Sequence, residues 1–142
     1  MKLLLSEVFE NASKLKTKKE RVDYLRKNQT NPALRDIIRI NYDDAIQCLL
    51  PEGAPPYEKD DAPKGKELTR LEKKYRQFKF FFNGPTGRAV GTIKRERMFI
   101  QLLESLHASE AEMLVLAKDK KMKYTGITKK LCQEAFPGLI TK

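Results

Sequence analysis

Apolar residues recur every three or four positions along this chain, in short runs that end at helix-capping or helix-breaking residues. The first run consists of Leu4, Leu5, Val8, Phe9, Ala12 and Leu15. This spacing places the apolar side chains on one face of a helix, whereas a half-buried strand would alternate at every second residue. Because no segment shows such alternation, the sequence predicts an all-α fold.

Several helix starts are marked by side chains that can accept a hydrogen bond from a free backbone amide. Thr17 and Glu20 match a capping box, and Asn31-Pro32 joins an N-cap residue to a proline at the first helical position. A last helix is expected from about Thr128 to Ala135 and should end before Pro137-Gly138. These signals predict many short helices rather than a few long ones.

Apolar spacing predicts further helices in the middle of the chain. A short one should pass through Ala45 and Leu49 and end before Pro51, and helical spacing returns from Leu68 to Phe82. The aromatic residues of the latter stretch follow core spacing and are expected to be core rather than stacking platforms for bases. They are Tyr75, Phe78, Phe81 and Phe82.

Breaks and caps divide the second half of the chain. The stretch from Asn83 to Gly87 is expected to interrupt the helical pattern, and Thr92 to cap a strong helix that reaches Leu106. A second capping box, beginning at Ser109, should open the next helix.

A proline-rich stretch separates the two halves of the chain. Residues 51–66 contain four prolines and two glycines, which cannot continue a helix. The sequence therefore predicts a single helical domain over residues 1–142, built as a compact bundle of about six to eight short helices with a Pro-rich central loop at 51–66.

The chain lacks the combinations of residues that common enzyme mechanisms need. His107 is the only histidine and should cap or pack at a helix end, while Cys48 and Cys132 lie among apolar neighbours and are expected to be buried thiols. No Ser-His-Asp set, metal-ligand spacing or phosphate-cradling glycine loop is present. We therefore expect no catalytic residue, no metal and no cofactor.

The charge balance points to a polyanionic partner. The chain has 29 Lys and Arg against 19 Asp and Glu, for a net charge of +10. Such an excess suits nucleic acid, an anionic membrane surface or an acidic protein, although a basic and merely soluble protein would show it too. No apolar stretch approaches the length of a membrane span, so a membrane partner is not expected.

Basic residues fall into four groups along the chain, at 14–27, 64–79, 94–97 and 118–130. Any one group is typical of a solvated helix face, but several coincide with helix starts or turns, where free amides can join Lys or Arg on a phosphate. The stretch from Lys123 to Lys130 shows this pattern best, because Gly126 allows close backbone approach while Thr125 and Thr128 offer hydroxyls. An ordinary turn between helices would also explain it.

Motifs near both ends of the chain are shared with one known family. They comprise the run from Leu4 to Asn28, residues 31–40 with Tyr42, the turn Pro85-Thr86-Gly87-Arg88-Ala89-Val90, residues 114–121, and the ending Ala135-Phe136-Pro137-Gly138-Leu139-Ile140. These segments resemble the N-terminal helical DNA-binding domain of ATP-dependent DNA ligases of the T-even phage type. The nucleotidyl-transfer motif Lys-x-Asp-Gly of those ligases is absent. The whole chain also resembles an uncharacterised protein family of T-even-like marine phages.

The resemblance implies a domain that grips duplex DNA across the minor groove through sugar and phosphate, without reading sequence, and it adds Arg88 to the basic groups. The expected DNA contacts are Lys16, Lys18, Lys19, Arg88, Lys94, Arg95, Lys118, Lys120, Lys121, Lys123, Thr125, Gly126, Thr128, Lys129 and Lys130.

The first functional hypothesis is therefore a non-enzymatic accessory protein for phage DNA replication, repair or recombination. It would bind intact or nicked duplex DNA in the cytoplasm of an infected bacterial host. The alternative is a virion component, or an adaptor for a phage or host replication or transcription protein such as a polymerase or sliding clamp. The Pro-rich segment would suit that alternative, because extended proline-containing chains dock in grooves at little ordering cost.

Overall fold

A computed structural model describes residues 3–58 and 69–141, and in this part of the chain every regular element is helical. The elements are α1 (Leu5–Ser13), α2 (Lys18–Lys27), α3 (Pro32–Tyr42), α4 (Leu71–Lys74), a 3₁₀ helix (Tyr75–Phe80), α5 (Pro85–Ala89), α6 (Thr92–Ser105), α7 (Ala108–Lys118) and α8 (Lys129–Ala135). Extended pairing within the described ranges is limited to isolated bridges, such as Cys48 with Phe82. The all-α prediction is confirmed.

Three of the predicted helix starts are confirmed by side-chain caps. The Thr17 hydroxyl accepts from the amide of Glu20 at 3.2 Å, and the Asn31 side chain accepts from the amide of Ala33 at 3.1 Å. The Thr128 hydroxyl accepts from the amide of Leu131 at 3.1 Å. Each cap satisfies an amide that has no partner within its own helix, which is why these local signals were readable from the sequence.

The short helix predicted around Ala45 and Leu49 is wrong. The Asp43 carboxylate accepts from the amide of Ala45 at 2.9 Å, and this local turn competes with helix formation. The chain then runs extended, and the amide of Leu49 donates to the carbonyl of Phe81 at 2.8 Å. Tertiary pairing with the end of the 3₁₀ helix thus replaces the expected helix.

The break predicted from Asn83 to Gly87 is present at Asn83 and Gly84 but is shorter than predicted, because α5 begins at Pro85. Proline suits the first helical position, where its missing amide is not needed. Gly87 is required for packing, since a Cβ at this position would lie 2.0 Å from the carbonyl oxygen of Phe82.

Two expected caps lie elsewhere. Thr92 is the first residue of α6 and Gly91 its N-cap, and α7 is capped by His107 rather than by Ser109. The amide of Ser109 donates to Nδ1 of His107 at 3.0 Å. A capping role for His107 is therefore confirmed.

The described part of the Pro-rich segment, residues 51–58, contains no helix, as predicted, and residues 59–66 of that segment lie outside the described residues. Leu68 lies outside them too, and the helical spacing that follows it becomes α4 and the 3₁₀ helix. Phe78, Phe81 and Phe82 are buried, whereas Tyr75 is only partly buried. The core assignment of the three phenylalanines is confirmed.

The apolar core is one cluster to which helices from both halves of the chain contribute. Phe9 of α1, Leu34 of α3, Leu103 of α6 and Leu114 of α7 are fully buried in it. Phe81 packs against Phe99 edge to face, with ring centroids 5.3 Å apart. Side chains of this size contribute roughly 2 kcal/mol each when fully buried.

A buried carboxylate stands at the centre of this arrangement. Glu110 of α7 is 1% exposed, and its two oxygens accept from the amides of Leu5 at 3.0 Å and Leu71 at 3.1 Å. These residues are the first of α1 and of α4, so one carboxylate satisfies free amides at two helix N-termini. Negative charge is favoured there by the helix dipole as well.

Replacing Glu110 by Gln should lower the free energy of unfolding by about 2–3 kcal/mol. The amide oxygen of Gln can still accept from one backbone N–H, but its NH₂ group would face the other N–H and could not accept from it. Urea denaturation followed by circular dichroism measures the change. Glu10→Gln is the matched control, since Glu10 is an exposed α1 carboxylate paired with Lys14 at 3.7 Å, and it should cost less than about 0.5 kcal/mol. Equal stability of the Glu110 and Glu10 variants would contradict this role.

Asp43 joins the end of α3 to the end of the described chain. Its side chain is buried and accepts from the amide of Ala45 and from both the amide and the hydroxyl of Thr141, at 3.0 and 2.9 Å. Burial acts to raise the pKa of Asp43, but the hydrogen bonds from Thr141 and Ala45 outweigh it and hold the pKa below its usual value.

This lowered pKa gives a pH-dependent stability. Since the folded pKa lies below the unfolded value of about 4, ionised Asp43 stabilises the fold above that pH, and the contribution is lost as the pH falls through the folded pKa. Asp43→Asn should therefore reduce the free energy of unfolding by roughly 1–3 kcal/mol at pH 7. The difference from wild type should shrink when urea denaturation is repeated from pH 5 down to pH 3. A difference independent of pH would show that the carboxylate charge is irrelevant.

Candidate nucleic-acid interface

Two turns from opposite ends of the chain meet through Arg21. Its Nε donates to the carbonyl of Leu15, in the turn between α1 and α2, at 3.1 Å. Its guanidinium lies against Gly126, in the turn before α8, where a Cβ would come within 2.5 Å of Cζ of Arg21. Gly126 has a φ of +78°, which glycine adopts without strain. We call the exposed face of these two turns, with the first residues of α2 and α8, the two-turn surface.

Gly126 therefore has a structural role besides the one predicted. The missing side chain makes room for Arg21 of the same chain. A contact between Gly126 and DNA stays a prediction.

Aromatic packing holds the second turn in place. Tyr124 stacks on Phe9 with ring centroids 5.4 Å apart and planes inclined by 15°. The Tyr42 hydroxyl donates to the carbonyl of Ile127 at 3.3 Å. Burial raises the pKa of both Tyr42 and Tyr124 to about 12, so both phenols stay neutral near pH 7. Their function in this turn is positional.

The two-turn surface carries lysines without an acidic partner. Lys16, Lys19, Lys123 and Lys130 are exposed, and none of them forms an ion pair or hydrogen bond with another described residue. Thr125 is exposed beside them. Exposed cations from two separate segments thus belong to the two turns that Arg21 joins and to the helices that follow them, α2 and α8, which contact each other.

The remaining predicted residues of these two turns are partly engaged. Lys18 pairs with Glu134 at 2.7 Å and Lys129 with Asp44 at 3.8 Å. The hydroxyl of Thr128 is used as the cap of α8. These residues lie in or beside the two turns, as the sequence indicates. Because Lys18 and Lys129 are paired with carboxylates, they add less unpaired positive charge than their number suggests.

Arg95 was predicted to contact DNA, and the structure corrects this. The residue is 7% exposed, and its guanidinium donates to the carbonyls of Phe80 at 3.2 Å, Gly87 at 2.7 Å and Val90 at 2.8 Å. It joins α6 to α5 and to the end of the 3₁₀ helix. A buried guanidinium that already donates to three carbonyls is poorly placed to reach a phosphate.

Lys118 is corrected in the same way. Its side chain is 1% exposed, and its Nζ donates to the carbonyl of Pro51 at 2.9 Å and to Asp119 at 2.7 Å. The other carboxylate oxygen of Asp119 accepts from the amide of Gly53 at 2.9 Å. Lys118 and Asp119 therefore fasten the start of the Pro-rich segment to the end of α7.

Lys120 caps the C-terminal end of α3. Its Nζ donates to the carbonyls of Ile40 at 2.8 Å and Asp43 at 2.7 Å, and burial lowers its pKa. Its own backbone has a φ of +59°, a conformation that side chains rarely adopt. Lys121 is exposed and pairs with Glu52 of the Pro-rich segment. The prediction that residues 118–121 form a free DNA-binding group is therefore wrong for Lys118 and Lys120.

Arg88 and Lys94 are exposed as predicted, but they belong to α5 and α6 rather than to the two-turn surface. Ile93 lies between them at the start of α6 and is 75% exposed. Arg21 belongs to the basic group at 14–27, and the sequence alone assigns it no separate role. Its position could not be predicted because its contact with Gly126 joins segments from opposite ends of the chain.

The described residues offer no cluster of three or more His, Cys, Asp or Glu side chains close enough to hold a metal ion. Cys48 and Cys132 are free thiols, and burial raises the pKa of Cys132 to about 12. None of the helices in the described ranges has the length and apolarity required to span a membrane.

Comparison with known proteins yields one family. Residues 8–124 match the model of DUF6433, a family of unknown function. No curated protein matches the chain. The matched range runs from α1 to Tyr124 and so includes the first turn of the two-turn surface and the start of the second. Since the match covers well over half of the chain, the protein belongs to the DUF6433 family.

Proposed function

We propose that this protein is a non-enzymatic accessory protein that binds duplex DNA through the sugar-phosphate backbone, largely without regard to sequence. The observation that carries the proposal is that Lys16, Lys19, Lys123 and Lys130 of the two-turn surface are exposed and have no carboxylate partner among the described residues. Lysines that bind DNA phosphates release the counterions condensed on the DNA. Unpaired surface lysines therefore favour DNA binding even without a shaped pocket.

The type of side chain favours backbone contact over base reading. Lysines are compact charges on flexible stems, and they bind phosphate without demanding a fixed orientation. Sequence-specific recognition uses planar or bidentate groups held against base edges. Arg21, which has such a planar group, is directed to Leu15 and Gly126 of its own fold.

The resemblance to phage ligase domains supports the same face. The run from Leu4 to Asn28, which is similar to the first two helices of that domain and the turn between them, contains α1, the first turn of the two-turn surface and α2. The setting in phage replication, repair or recombination is part of the proposal and rests on this resemblance alone.

Removing the four lysines should weaken binding to every duplex alike. In the variant K16Q/K19Q/K123Q/K130Q, we expect at least a roughly 100-fold loss of affinity at low salt and a salt slope smaller in magnitude by about 2–4, because each lost phosphate contact removes close to one released counterion. Fluorescence anisotropy with labelled intact and nicked duplexes across a salt series measures both quantities.

The matched control removes the same charge elsewhere. K27Q/R35Q/K73Q/R97Q replaces four exposed cations outside the two-turn surface and should retain most of the affinity and of the salt slope. Equal losses in both variants would mean that net charge alone attracts DNA. Unchanged binding in the first variant would exclude the two-turn surface as the interface.

A second candidate is an adaptor or virion component that binds another protein. The observation that favours it is an apolar strip in which Leu116, 44% exposed, lies beside Pro55 and Tyr57 of the Pro-rich segment. The test is co-purification after nuclease treatment, with wild type compared to Leu116→Ser. A single protein retained by wild type and lost by the variant, together with no DNA binding at low salt, would replace the first proposal by this one.

A further inference from the structure

A cleft of about 430 Å³ lies between α3 and the 3₁₀ helix, on residues that the two-turn surface does not use. Its floor is apolar and includes Ile40, Phe78 and Phe82, while Tyr75 forms part of its wall. Its volume lies within the range of about 300–1,000 Å³ that is usual for small-ligand sites. We call it the α3 cleft.

The rim of the α3 cleft is cationic. Arg39, Arg76 and Lys79 line it and are exposed, and none of the three has a carboxylate within 4 Å among the described residues. One acid, Asp36, also lines the cleft. Three cations against one carboxylate give the opening a positive charge, which selects an anion.

The aromatic ring of Tyr75 is in contact with a cation of the same chain. The guanidinium of Arg76 lies over the ring of Tyr75, with Cζ 5.9 Å from the centroid, and Tyr75 is only partly buried. A flat ring entering the cleft would lie against Tyr75, because Phe82 is only 7% exposed. Free phosphate would gain nothing from this floor, and an uncharged ring would gain nothing from the rim.

A ligand that combines a flat heterocycle with a phosphate matches both halves of the site. Bases stack on exposed aromatic faces, and arginine binds phosphate in a bidentate manner. From this complementarity we propose that the α3 cleft binds a single unstacked nucleotide, with its base against Tyr75 and its phosphate held by Arg39 together with Arg76 or Lys79.

The cleft also adjoins an element of the two-turn surface. The turn that contributes Ile46 to the cleft holds Asp44, whose carboxylate lies 3.8 Å from Nζ of Lys129 at the start of α8. In a DNA molecule bound at the two-turn surface, the α3 cleft would therefore suit an unpaired nucleotide at the end of the duplex. The site itself does not depend on duplex binding, because a mononucleotide needs only the cleft.

The direct test is a titration of the full-length protein with deoxyadenosine 5′-monophosphate, followed by NMR chemical shifts and calorimetry. Saturable binding in the micromolar to millimolar range is expected, with the largest amide shifts at residues lining the cleft. Deoxyadenosine and inorganic phosphate, each supplying half of the ligand, should bind at least about 10-fold more weakly. Inorganic phosphate binding as tightly as the nucleotide, or no saturation at all, would overturn the proposal.

The chain provides a matched pair of arginines. Arg35 and Arg39 lie one turn apart on α3 and are both exposed, but only Arg39 lines the cleft. Arg39→Gln should weaken nucleotide binding about 10-fold, whereas Arg35→Gln should leave it unchanged. Tyr75→Leu should weaken the nucleotide and deoxyadenosine together. Equal effects of the two arginine substitutions would show that the cleft is not the site.

Two further arms separate this inference from the duplex-binding proposal and from other aromatic anions. K16Q/K19Q/K123Q/K130Q should bind the mononucleotide like wild type even though its duplex binding is lost, and a parallel loss would remove the cleft as a separate site. Free O-phosphotyrosine should compete poorly. If it competes as well as the nucleotide, the site takes a phosphorylated side chain and the nucleotide assignment is wrong.

Discussion

The position of the first helices depends on one buried carboxylate. A carboxylate removed from water is costly unless hydrogen bonds replace its hydration, and the first amides of α1 and α4 supply such hydrogen bonds to Glu110. The neighbouring residues act with it, since His107 caps α7 itself and the Ser109 hydroxyl lies 2.8 Å from that of Ser6. The start of α7 therefore fixes where α1 begins, and α1 in turn leads into the first turn of the two-turn surface.

Positive side chains satisfy helix ends of the opposite polarity. Arg26 donates to the carbonyls of Glu134 and Ala135 at the end of α8, Lys120 caps α3, and Arg95 holds α5. A bundle of short helices has many terminal carbonyls, and cations near C-termini are stabilised by the helix dipole. Part of the net charge of +10 therefore serves the fold, and composition overstates the charge available to a polyanion.

What could be predicted from the sequence follows the range of the interactions involved. The caps at Thr17, Asn31 and Thr128 act within three residues, and the apolar spacing of α3 or α6 is a property of one helix, so these features were readable. The carbonyl partners of Lys118 and Lys120 lie 67 to 80 residues away. Both lysines looked like members of an exposed basic run because nothing within their own turn shows that they are used elsewhere. The α3 cleft was missed for the same reason, since its lining comes from three separate stretches of chain.

The Lys and Arg side chains that cap no helix have different surroundings at the two-turn surface and at the α3 cleft. This difference predicts two kinds of ligand binding. On the two-turn surface they are solvated and flexible, so attraction to phosphate arises mainly from counterion release and should fall steeply with salt. At the α3 cleft they border apolar and aromatic atoms, so a ligand gains most of its free energy from short-range contact and only one phosphate responds to salt. A protein that carries both would hold a duplex loosely along its backbone while retaining one unpaired nucleotide by shape. Under these proposals the same positive charge would give broad affinity for DNA at the two-turn surface and selection of one nucleotide at the α3 cleft.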